Sequence, residues 1–236
     1  MARTPVWREI HAVLREEIAS GVYRTGDRLP TEKELSARFA VNRHTVRRAL
    51  AEMTAEGSIY VRRGSGAYVA EGVIDYPLGP NVKFSRNITQ LGRVPAHRLL
   101  RTEVVKASDA VAAQLSLKPG SSVVRLETIG EADGLPLHHV EQFLPEARFK
   151  GLGEVFARTL SLTQALTHFG VIDYRRAWTR VMARAPSRAI AALLHQPETQ
   201  PVLRTEGVNL DMAGQPIEFA IGQWAGGRMQ FVVDNG

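Results

Sequence analysis

The N-terminal fold follows from one stretch, Val41–Val69, whose sequence is V-N-R-H-T-V-R-R-A-L-A-E-M-T-A-E-G-S-I-Y-V-R-R-G-S-G-A-Y-V. Asn42 is a favourable N-cap, because its side-chain oxygen can accept a hydrogen bond from a free amide of the first helical turn. Gly57 is a favourable helix terminator. The stretch therefore predicts a helix from about Arg43 to Glu56, followed by a glycine-containing hairpin.

The predicted helix carries an apolar face and a basic face. Apolar residues recur at i, i+4 and i+7 and form a packing stripe: Val46, Leu50 and Met53. Arg43 and Arg47 share another face, with His44 and Thr45 in the first turn, where free amides and the helix dipole favour phosphate. Cations and small donors at an open helix N-terminus suit a DNA major groove. An isolated R-x-x-x-R is more often the solvated face of an ordinary surface helix. The elements on either side of the helix therefore decide between that interpretation and DNA binding.

The flanking elements complete a known order of secondary structure. An apolar face at helical spacing predicts a first helix over residues 5–20, and Thr31 with Glu34 forms the signature of a capping box that opens a second helix. Residues 60–69 predict a hairpin, whose glycines permit a tight turn and whose Arg62 and Arg63 can meet phosphate. Helix, helix, turn, helix and hairpin together predict a winged helix-turn-helix.

Composition narrows the class of protein. The 236 residues are 44% hydrophobic, enough for one large or two modest globular domains, and carry a net charge of +6. Residues 1–70 hold 12 basic and 8 acidic residues, so most of the excess charge lies with the predicted DNA-reading helix. The absence of cysteine excludes disulfides, thiolate nucleophiles and cysteine-ligated zinc. No apolar run reaches the ~18 residues of a membrane span, and no signal peptide is indicated, so we expect a cytoplasmic protein.

Residues 5–70 resemble the DNA-binding domain of the GntR family of bacterial repressors. The resemblance rests on the run L-P-T-E-K-E-L-S-A-R-F-A-V-N-R-H-T-V-R-R-A-L at 29–50, and on the later E-G and R-R-G-S-G-A-Y-V. It implies a set of DNA contacts at Lys33, Arg43, His44, Thr45, Arg47, Arg63 and Gly64. Asn42 and His44 stand where the family often has Ser or Thr, which leaves the operator sequence open.

The remainder of the chain predicts a second domain. Residues 71–82 contain two prolines and two glycines and indicate a linker, although its apolar side chains suggest packing against a neighbour. Helices are expected at 84–91, near 108–115, at 146–156, 161–169 and 187–194, and strands at 98–106, 123–132, 135–144, 174–185, 202–210, 216–224 and 229–233. Hairpins with helices between them favour an antiparallel α+β class. The predicted organisation is a DNA-binding domain at 1–70, the linker, and an effector-sensing and dimerisation domain at 83–236.

This second domain is similar to the ligand-sensing (UTRA) domain of the HutC branch of GntR regulators, which has the fold of chorismate lyase. The matching motifs are F-S-R-N-I at 84–88, A-D-G-L-P-L at 132–137, S-L-T-Q-A-L at 161–166, T-R-V-M-A-R at 179–184 and P-I-E-F at 216–219. Within that branch, Y-P-L-G-P-N-V-K-F-S-R-N-I is most similar to regulators of phosphonate-uptake operons. The resemblance implies a homodimer that responds to a small anionic effector.

The effector site is predicted around a helix start. Ser161 is a plausible N-cap, and the amides that follow it could face an anionic group, although a role as a cap alone is equally compatible. The resemblance implies effector contacts at Ser85, Ser161, Thr163, Arg180 and Glu218. Related sensors often carry arginines where this chain has Thr128, Gly130 and Gln223, and the loss of guanidinium donors removes bidentate grips on phosphate. A phosphonate is the favoured effector, with a sugar phosphate or amino-acid derivative as the alternative.

An enzymatic role has little support in the sequence. In a strand, His139 and Glu141 would share a face next to His138, but two neighbouring ligands do not make a zinc site. We therefore expect no catalytic residue, no metal and no cofactor. The predicted function is a homodimeric repressor that binds an inverted repeat in double-stranded DNA. An enzyme on a lyase-like fold and an architectural DNA-binding module without effector are the competing hypotheses.

Overall fold

A computed structural model describes residues 5–24, 26–62, 64–70, 73–80 and 83–233. The chain divides into two compact units. One comprises Met1–Ile74 with Ala185–Gln200, and the other comprises Asp75–Arg184 with Pro201–Gly236. The second unit thus takes in part of the segment 71–82 that the sequence pattern predicted as a linker.

Three helices form the framework of the first unit: α1 (Val6–Ala19), α2 (Glu32–Arg38) and α3 (Arg43–Ala55). The predicted capping box is present, since Thr31 accepts from the amide of Glu34 and donates its own amide to the Glu34 carboxylate. Asn42 caps α3 by accepting from the amide of Thr45 at 2.9 Å. The structure therefore confirms the two helix starts that the sequence predicted.

The apolar stripes of these helices meet in one core with the wing that follows. The residues of this core with little or no exposure include Ile10, Leu14, Leu29, Leu35, Val46, Leu50, Met53, Ile59 and Val69. The wing is an antiparallel pair, β1 (Ile59–Arg62) and β2 (Gly66–Val69), in which Tyr60 stacks on Tyr68 with ring centroids 5.6 Å apart. The core buries the apolar face of α3, and the face that carries Arg43 and Arg47 remains exposed.

The second unit is built on a six-stranded antiparallel sheet. Its elements are β3 (Ile74–Pro77), α4 (Phe84–Gln90), β4 (Pro95–Lys106), α5 (Asp109–Gln114), β5 (Ser122–Ala132), β6 (Leu135–Pro145), α6 (Leu152–Thr159), α7 (Leu162–His168), β7 (Tyr174–Arg184), β8 (Val202–Asp211), β9 (Pro216–Ala225) and β10 (Met229–Val232). The helix α8 (Arg188–Leu193) lies between β7 and β8 in the sequence but belongs to the first unit. The strand order of the sheet is β4-β5-β6-β9-β8-β7. The expected antiparallel α+β class is confirmed.

The central strands of the sheet are packed on both faces. Alternate residues of a strand point to opposite faces, so Val123 and Val124 belong to different cores. Val124 packs with α6 and α7, including Phe156 and Leu166, whereas Val123 packs with α5, including Val111. The face covered by α6 and α7 is the one on which the candidate effector site lies.

One expectation about this unit was inaccurate, and the pairing of its last strand was not predicted. The helix expected at 146–156 begins only at Leu152, because Gly151 adopts φ +83°, which a continuing helix cannot accommodate. The last strand does not extend the large sheet. Instead β10 pairs with β3, which occupies part of the predicted linker, and Leu78 donates its amide to the carbonyl of Val232. Sequence pattern indicates a strand but does not identify its partner.

Candidate functional site

The first turn of α3 presents a polar, basic surface. Arg43, His44 and Arg47 are exposed, and Thr45 is partly buried. Thr45 donates both its amide and its hydroxyl to the side-chain oxygen of Asn42, at 2.9 and 3.0 Å. Both bonds stay within the cap, which leaves the cationic side chains of the turn projecting from a fixed backbone. A rigid helix start with projecting cations is the geometry that enters a major groove.

Arg47 is held by an acidic neighbour on α2. Its Nε donates to both carboxylate oxygens of Glu32 at 2.9 Å, and this bond raises the pKa of the Arg47 guanidinium. Lys33, which follows Glu32 on α2, is exposed. The two terminal nitrogens of Arg47 are not used by this bond. They are the groups by which the side chain can donate to a phosphate or to a base edge.

The tip of the wing joins β1 to β2, and the structure describes part of it. Gly64 has φ +78°, a conformation that strains any residue with a Cβ, and the space around its Cα is open. This backbone can therefore approach another surface closely. Arg63, for which the resemblance implies a DNA contact, lies outside the described residues. Ser65 is fixed by a 2.6 Å hydrogen bond between its hydroxyl and that of Tyr68.

The second unit contains a cavity of about 380 Å³ on the α6–α7 face of the sheet, a size typical of small-molecule sites. Alternate residues of β6 and β9 line it. They are His138, Val140 and Gln142 on β6, and Glu218, Ala220, Gly222 and Trp224 on β9. The register that pairs these two strands places both sets on the same face. The loop before α4, α4 itself, the start of α7 and side chains of β7 and β8 supply further walls.

Cations outnumber acids in the lining. Lys83, Arg86 and Arg176 contribute positive charge, and Glu218 contributes the negative charge. Lys83 donates to Asp173 at 3.3 Å, and its ammonium lies 4.6 Å from the ring centroid of Tyr174. The two histidines of the lining add no charge near neutral pH, since burial lowers the pKa of both His97 and His138. The lining of the cavity therefore favours an anion.

A hydrogen-bonded network fixes Glu218, which is 2% exposed. Its two oxygens accept from the side-chain amides of Gln142, at 2.7 Å, and Asn209. Nearby, the hydroxyls of Tyr174 and Thr163 are 3.0 Å apart, and burial raises the pKa of Tyr174 to about 12. The carboxylate is thus oriented by neutral donors.

A cluster of aromatic side chains around His138 lines another part of the cavity. The imidazole of His138 packs against the rings of Phe84 and Trp224, with centroids 4.2 Å from each, and those two rings are 6.2 Å from one another. Burial, with smaller contributions from His97 and His139, lowers the pKa of His138 well below its ordinary value. The ring is adjacent to Gly130, where an added Cβ would lie 1.9 Å from His138 Nε2. Glycine at 130 therefore creates the space that the imidazole fills.

The structure brings four of the five predicted effector residues to the cavity and leaves one outside. Ser85, Ser161, Thr163 and Glu218 line it. Ser161 also caps α7, because its hydroxyl accepts from the amide of Gln164 at 3.4 Å. Arg180 does not reach the cavity. Its guanidinium is largely exposed and donates to Glu206 at 3.1 Å.

The three positions at which related sensors often carry arginine differ in their surroundings. Thr128 lines the cavity, and Gly130 accommodates His138. Gln223 follows Gly222 on β9 and so points to the opposite face of the sheet. Arg228, which the chain retains, donates to the carbonyl of Pro136 at 2.8 Å and does not line the cavity.

The histidine pair on β6 is divided between the two faces of the sheet. His138 faces the cavity, whereas His139 Nε2 lies 2.9 Å from Glu127 Oε1 on the other face. Glu141 binds Arg125 there, at 2.7 and 3.0 Å. Among the described residues no group of three or more His, Cys, Asp or Glu side chains is placed to hold a metal ion. No helix within the described ranges has the length and apolar character that crossing a membrane requires.

Comparison with known proteins assigns both units. Residues 7–69 match the profile of bacterial regulatory proteins of the gntR family, and residues 90–230 match the UTRA domain. The chain belongs to the GntR family and carries a UTRA domain. It is a transcriptional regulator with a DNA-binding helix-turn-helix and an effector-binding domain, as the motifs of the sequence indicated.

Relatives of this GntR regulator span nearly its whole length. The chain is 32% identical over 230 residues to the uncharacterized HTH-type transcriptional regulator RB1450 of Rhizobium meliloti (strain 1021), covering 97% of this chain and 94% of the relative. It is 30% identical to the probable transcriptional regulator PhnF of Escherichia coli (strain K12), with 97% and 95% covered. These relatives are regulators, which excludes the enzymatic alternative.

Further similarity extends to a named repressor and a solved structure. The mannosyl-D-glycerate transport/metabolism system repressor MngR of Escherichia coli (strain K12) is 27% identical over 226 residues, covering 93% of this chain and 91% of the relative. The crystal structure of PhnF from Mycobacterium smegmatis aligns with TM-score 0.67 and 28% identity, over 96% of this chain and 99% of the other. The GntR regulator therefore shares its fold with PhnF along nearly its full length.

Sequence reasoning missed several residues of the regulator's cavity. They are Lys83, Arg86, Gln142, Arg176 and Asn209. Gln142, Asn209 and Arg176 are polar residues on the covered face of strands, where apolar residues are expected. Polar residues at these strand positions were the signal that the sequence offered. Only the strand register in the structure shows that they share a face with Glu218.

Proposed function

We propose that the regulator is a homodimeric repressor that binds an inverted-repeat operator and is released from it by a small anionic metabolite. A phosphonate is the favoured effector class, with a sugar phosphate or an amino-acid derivative as the alternative. Repression is supported by similarity to MngR, whose name identifies it as a repressor. The phosphonate class is supported by the likeness of residues 76–88 to regulators of phosphonate-uptake operons.

The charge of the cavity lining carries the effector proposal. Three cations and one carboxylate line the cavity, and its two histidines are uncharged near neutral pH. An anion stabilises a cationic lining, and Arg176 can offer two parallel donors to a phosphonate or phosphate oxygen pair. A neutral sugar would leave the excess positive charge of the lining uncompensated. We therefore expect the effector to be anionic.

DNA binding would use α3 in the major groove and the wing beside it. Two copies of α3 in a homodimer would engage half-sites about one helical turn apart, roughly 34 Å between centres. Arg43, His44 and Arg47 would contact phosphates or base edges from the exposed first turn. Affinity should fall steeply with salt, because each phosphate contact releases bound counterions.

Release requires the effector to bind the two states of the dimer with different affinity. An effector that favours an arrangement in which the two α3 helices no longer match the half-site spacing will lower DNA affinity. An effector that binds both arrangements equally will not, however tight its binding. The coupling free energy between the effector site and the DNA-binding surface therefore determines whether the effector releases the DNA.

The DNA-reading role is tested by arginine substitutions in the full chain. Arg47→Ala should weaken binding to the regulator's own promoter, measured by fluorescence anisotropy, by roughly tenfold and should make the salt dependence shallower. Arg188→Ala removes the same charge from an α8 side chain that is 91% exposed, and should leave affinity unchanged. If an Arg43→Ala/Arg47→Ala double variant binds the promoter normally, the assignment of α3 is wrong.

The effector role is tested in the same anisotropy assay with anionic and neutral compounds of equal size. Alkylphosphonates and phosphate esters should release promoter DNA, and neutral alcohols should not. The compound should be recovered unchanged, because a sensor does not consume its ligand. Release by the neutral series alone would contradict the anionic class. The dimer is tested by sedimentation equilibrium, where a monomer bound to DNA would contradict the proposed symmetry.

A further inference from the structure

Glu218 brings a carboxylate into a cavity whose overall lining is cationic, and its direct partners are neutral. It is 2% exposed, and each of its oxygens accepts one hydrogen bond from a side-chain amide, of Gln142 or of Asn209. Accepting at both oxygens is the behaviour of an ionised carboxylate. No ion pair joins Glu218 to a lysine, arginine or histidine within the described residues.

A buried charge without a counter-charge is costly unless something else supplies one. The two amide hydrogen bonds offset part of the free-energy cost of removing Glu218 from water. The amides are neutral, so they do not compensate its negative charge. Since a carboxylate offers about four lone-pair positions, the two amides also leave hydrogen-bonding capacity unused. Because the residue lines the cavity, a ligand can reach that capacity.

A cationic group lies near Glu218 but is directed elsewhere. Strand register aligns Arg176 on β7 with Asn209 on β8, and Asn209 with Glu218 on β9. Arg176 and Glu218 are thus on strands two apart, with backbones separated by roughly 10 Å. The guanidinium of Arg176 lies over Gly207, where an added Cβ would be 2.2 Å from Nη1. The opposite charges of Arg176 and Glu218 therefore sit on one row of the sheet without pairing.

We propose that the effector is a small zwitterion, whose ammonium group binds Glu218 and whose anionic group binds on the side of Arg176 and Lys83. This inference rests on the proposed function, because it adds a second charge to the anionic effector. The two charges of the ligand would bridge the gap between the opposite charges of the site. A short aliphatic chain between an amine and a phosphonate, phosphate or carboxylate has the required form.

An amine fits Glu218 better than a hydroxyl does. A hydroxyl can donate one hydrogen bond to the carboxylate but leaves its charge uncompensated. An ammonium donates up to three hydrogen bonds, and a bond between two charged groups is roughly twice as strong as one between neutral groups. The buried position strengthens this preference, since the low local dielectric makes a charge pair more favourable than it is in water.

The test compares matched ligands that differ only in the amine. Isothermal titration calorimetry on the full chain would use three pairs: 2-aminoethylphosphonate with ethylphosphonate, phosphoethanolamine with ethyl phosphate, and β-alanine with propionate. We expect the amine member of at least one pair to bind at least tenfold more tightly than its partner. If the amine-free members bind equally well or better, the zwitterion is refuted and the anionic effector of the proposed function stands. Absence of binding by all six compounds also refutes the zwitterion, while release of DNA by other anions decides the proposed function separately.

A charge-removing variant locates the preference at Glu218. Glu218→Gln keeps the size of the side chain, and should reduce the amine preference to about onefold while the amine-free member still binds. Glu206→Gln is the matched control, because Glu206 lies on the adjacent strand, outside the cavity, and binds Arg180 and Arg204. It should keep the preference. An unchanged preference in Glu218→Gln refutes the role of Glu218, and if that variant does not fold, the ligand pairs measured on the unaltered chain decide alone.

Discussion

Gly130→Ala should destabilise the effector-binding unit by displacing His138. The new Cβ would lie 1.9 Å from His138 Nε2 and 2.2 Å from Cδ2, whereas ordinary contact begins near 3.4 Å, so the ring must move by about 1.5 Å. It cannot move freely, because the rings of Phe84 and Trp224 pack against it with centroids 4.2 Å away. Overpacking of this kind costs about 1–3 kcal/mol, which lowers the melting temperature by several degrees in a domain of this size.

A double-mutant cycle isolates the clash. Scanning calorimetry would measure the unfolding of the unaltered chain, of Gly130→Ala, of His138→Ala and of the double variant. His138→Ala is itself destabilising, since it leaves a cavity beside Phe84 and Trp224. In the absence of the imidazole the added methyl group has room, so Gly130→Ala should then cost less than about 0.5 kcal/mol. An equal cost in both backgrounds would refute the contact between residues 130 and 138 as the reason for glycine.

Four further substitutions test a helix cap, the basic surface and the effector site. Thr31→Ala removes the capping box of α2 and should lower stability by about 1 kcal/mol in thermal unfolding, and an unchanged melting temperature would show that the box is not formed in solution. Glu32→Gln frees Arg47 and should tighten promoter binding at low salt, with the gain disappearing as salt rises. Glu56→Gln, which removes a charge at the other end of α3, should not do so, and weaker binding by Glu32→Gln would mean that Glu32 orients Arg47. Ser161→Ala should weaken the effector response without changing DNA affinity, and an unchanged dose response would remove Ser161 from the effector site.

The winged helix-turn-helix was predictable because its signals are local. Thr31 and Asn42 cap the helices that follow them through bonds spanning three residues, so the sequence contains each complete interaction. The apolar stripe of α3 likewise appears at helical spacing and is buried as expected. The partner of Arg47, Glu32, lies 15 residues away on another helix, and no local pattern indicates that bond.

The sensing unit was predictable as a class but less so as a site. Alternation and turn residues located most of its strands and the fold class, and the motif S-L-T-Q-A-L located Ser161 and Thr163 near the cavity. Arg180 was predicted from a motif on β7, yet its side chain pairs with Glu206 outside the cavity. The bulge of β7 between Arg176 and Trp178 alters which residues of that strand share a face. Such a bulge leaves no sequence signature.

The amino-acid sequence by itself determined the starts of α2 and α3, the basic surface of α3, the α+β class and the membership of a regulator family. These depend on interactions within a few residues, or on motifs long enough to be specific. Only the tertiary structure decided that β10 pairs with β3, that His138 fills the space above Gly130, and that Arg176, Asn209 and Glu218 share one row of the sheet. Strand pairing and register join residues far apart in the chain, and the free energies that select them come from side-chain packing across strands, which no single segment contains.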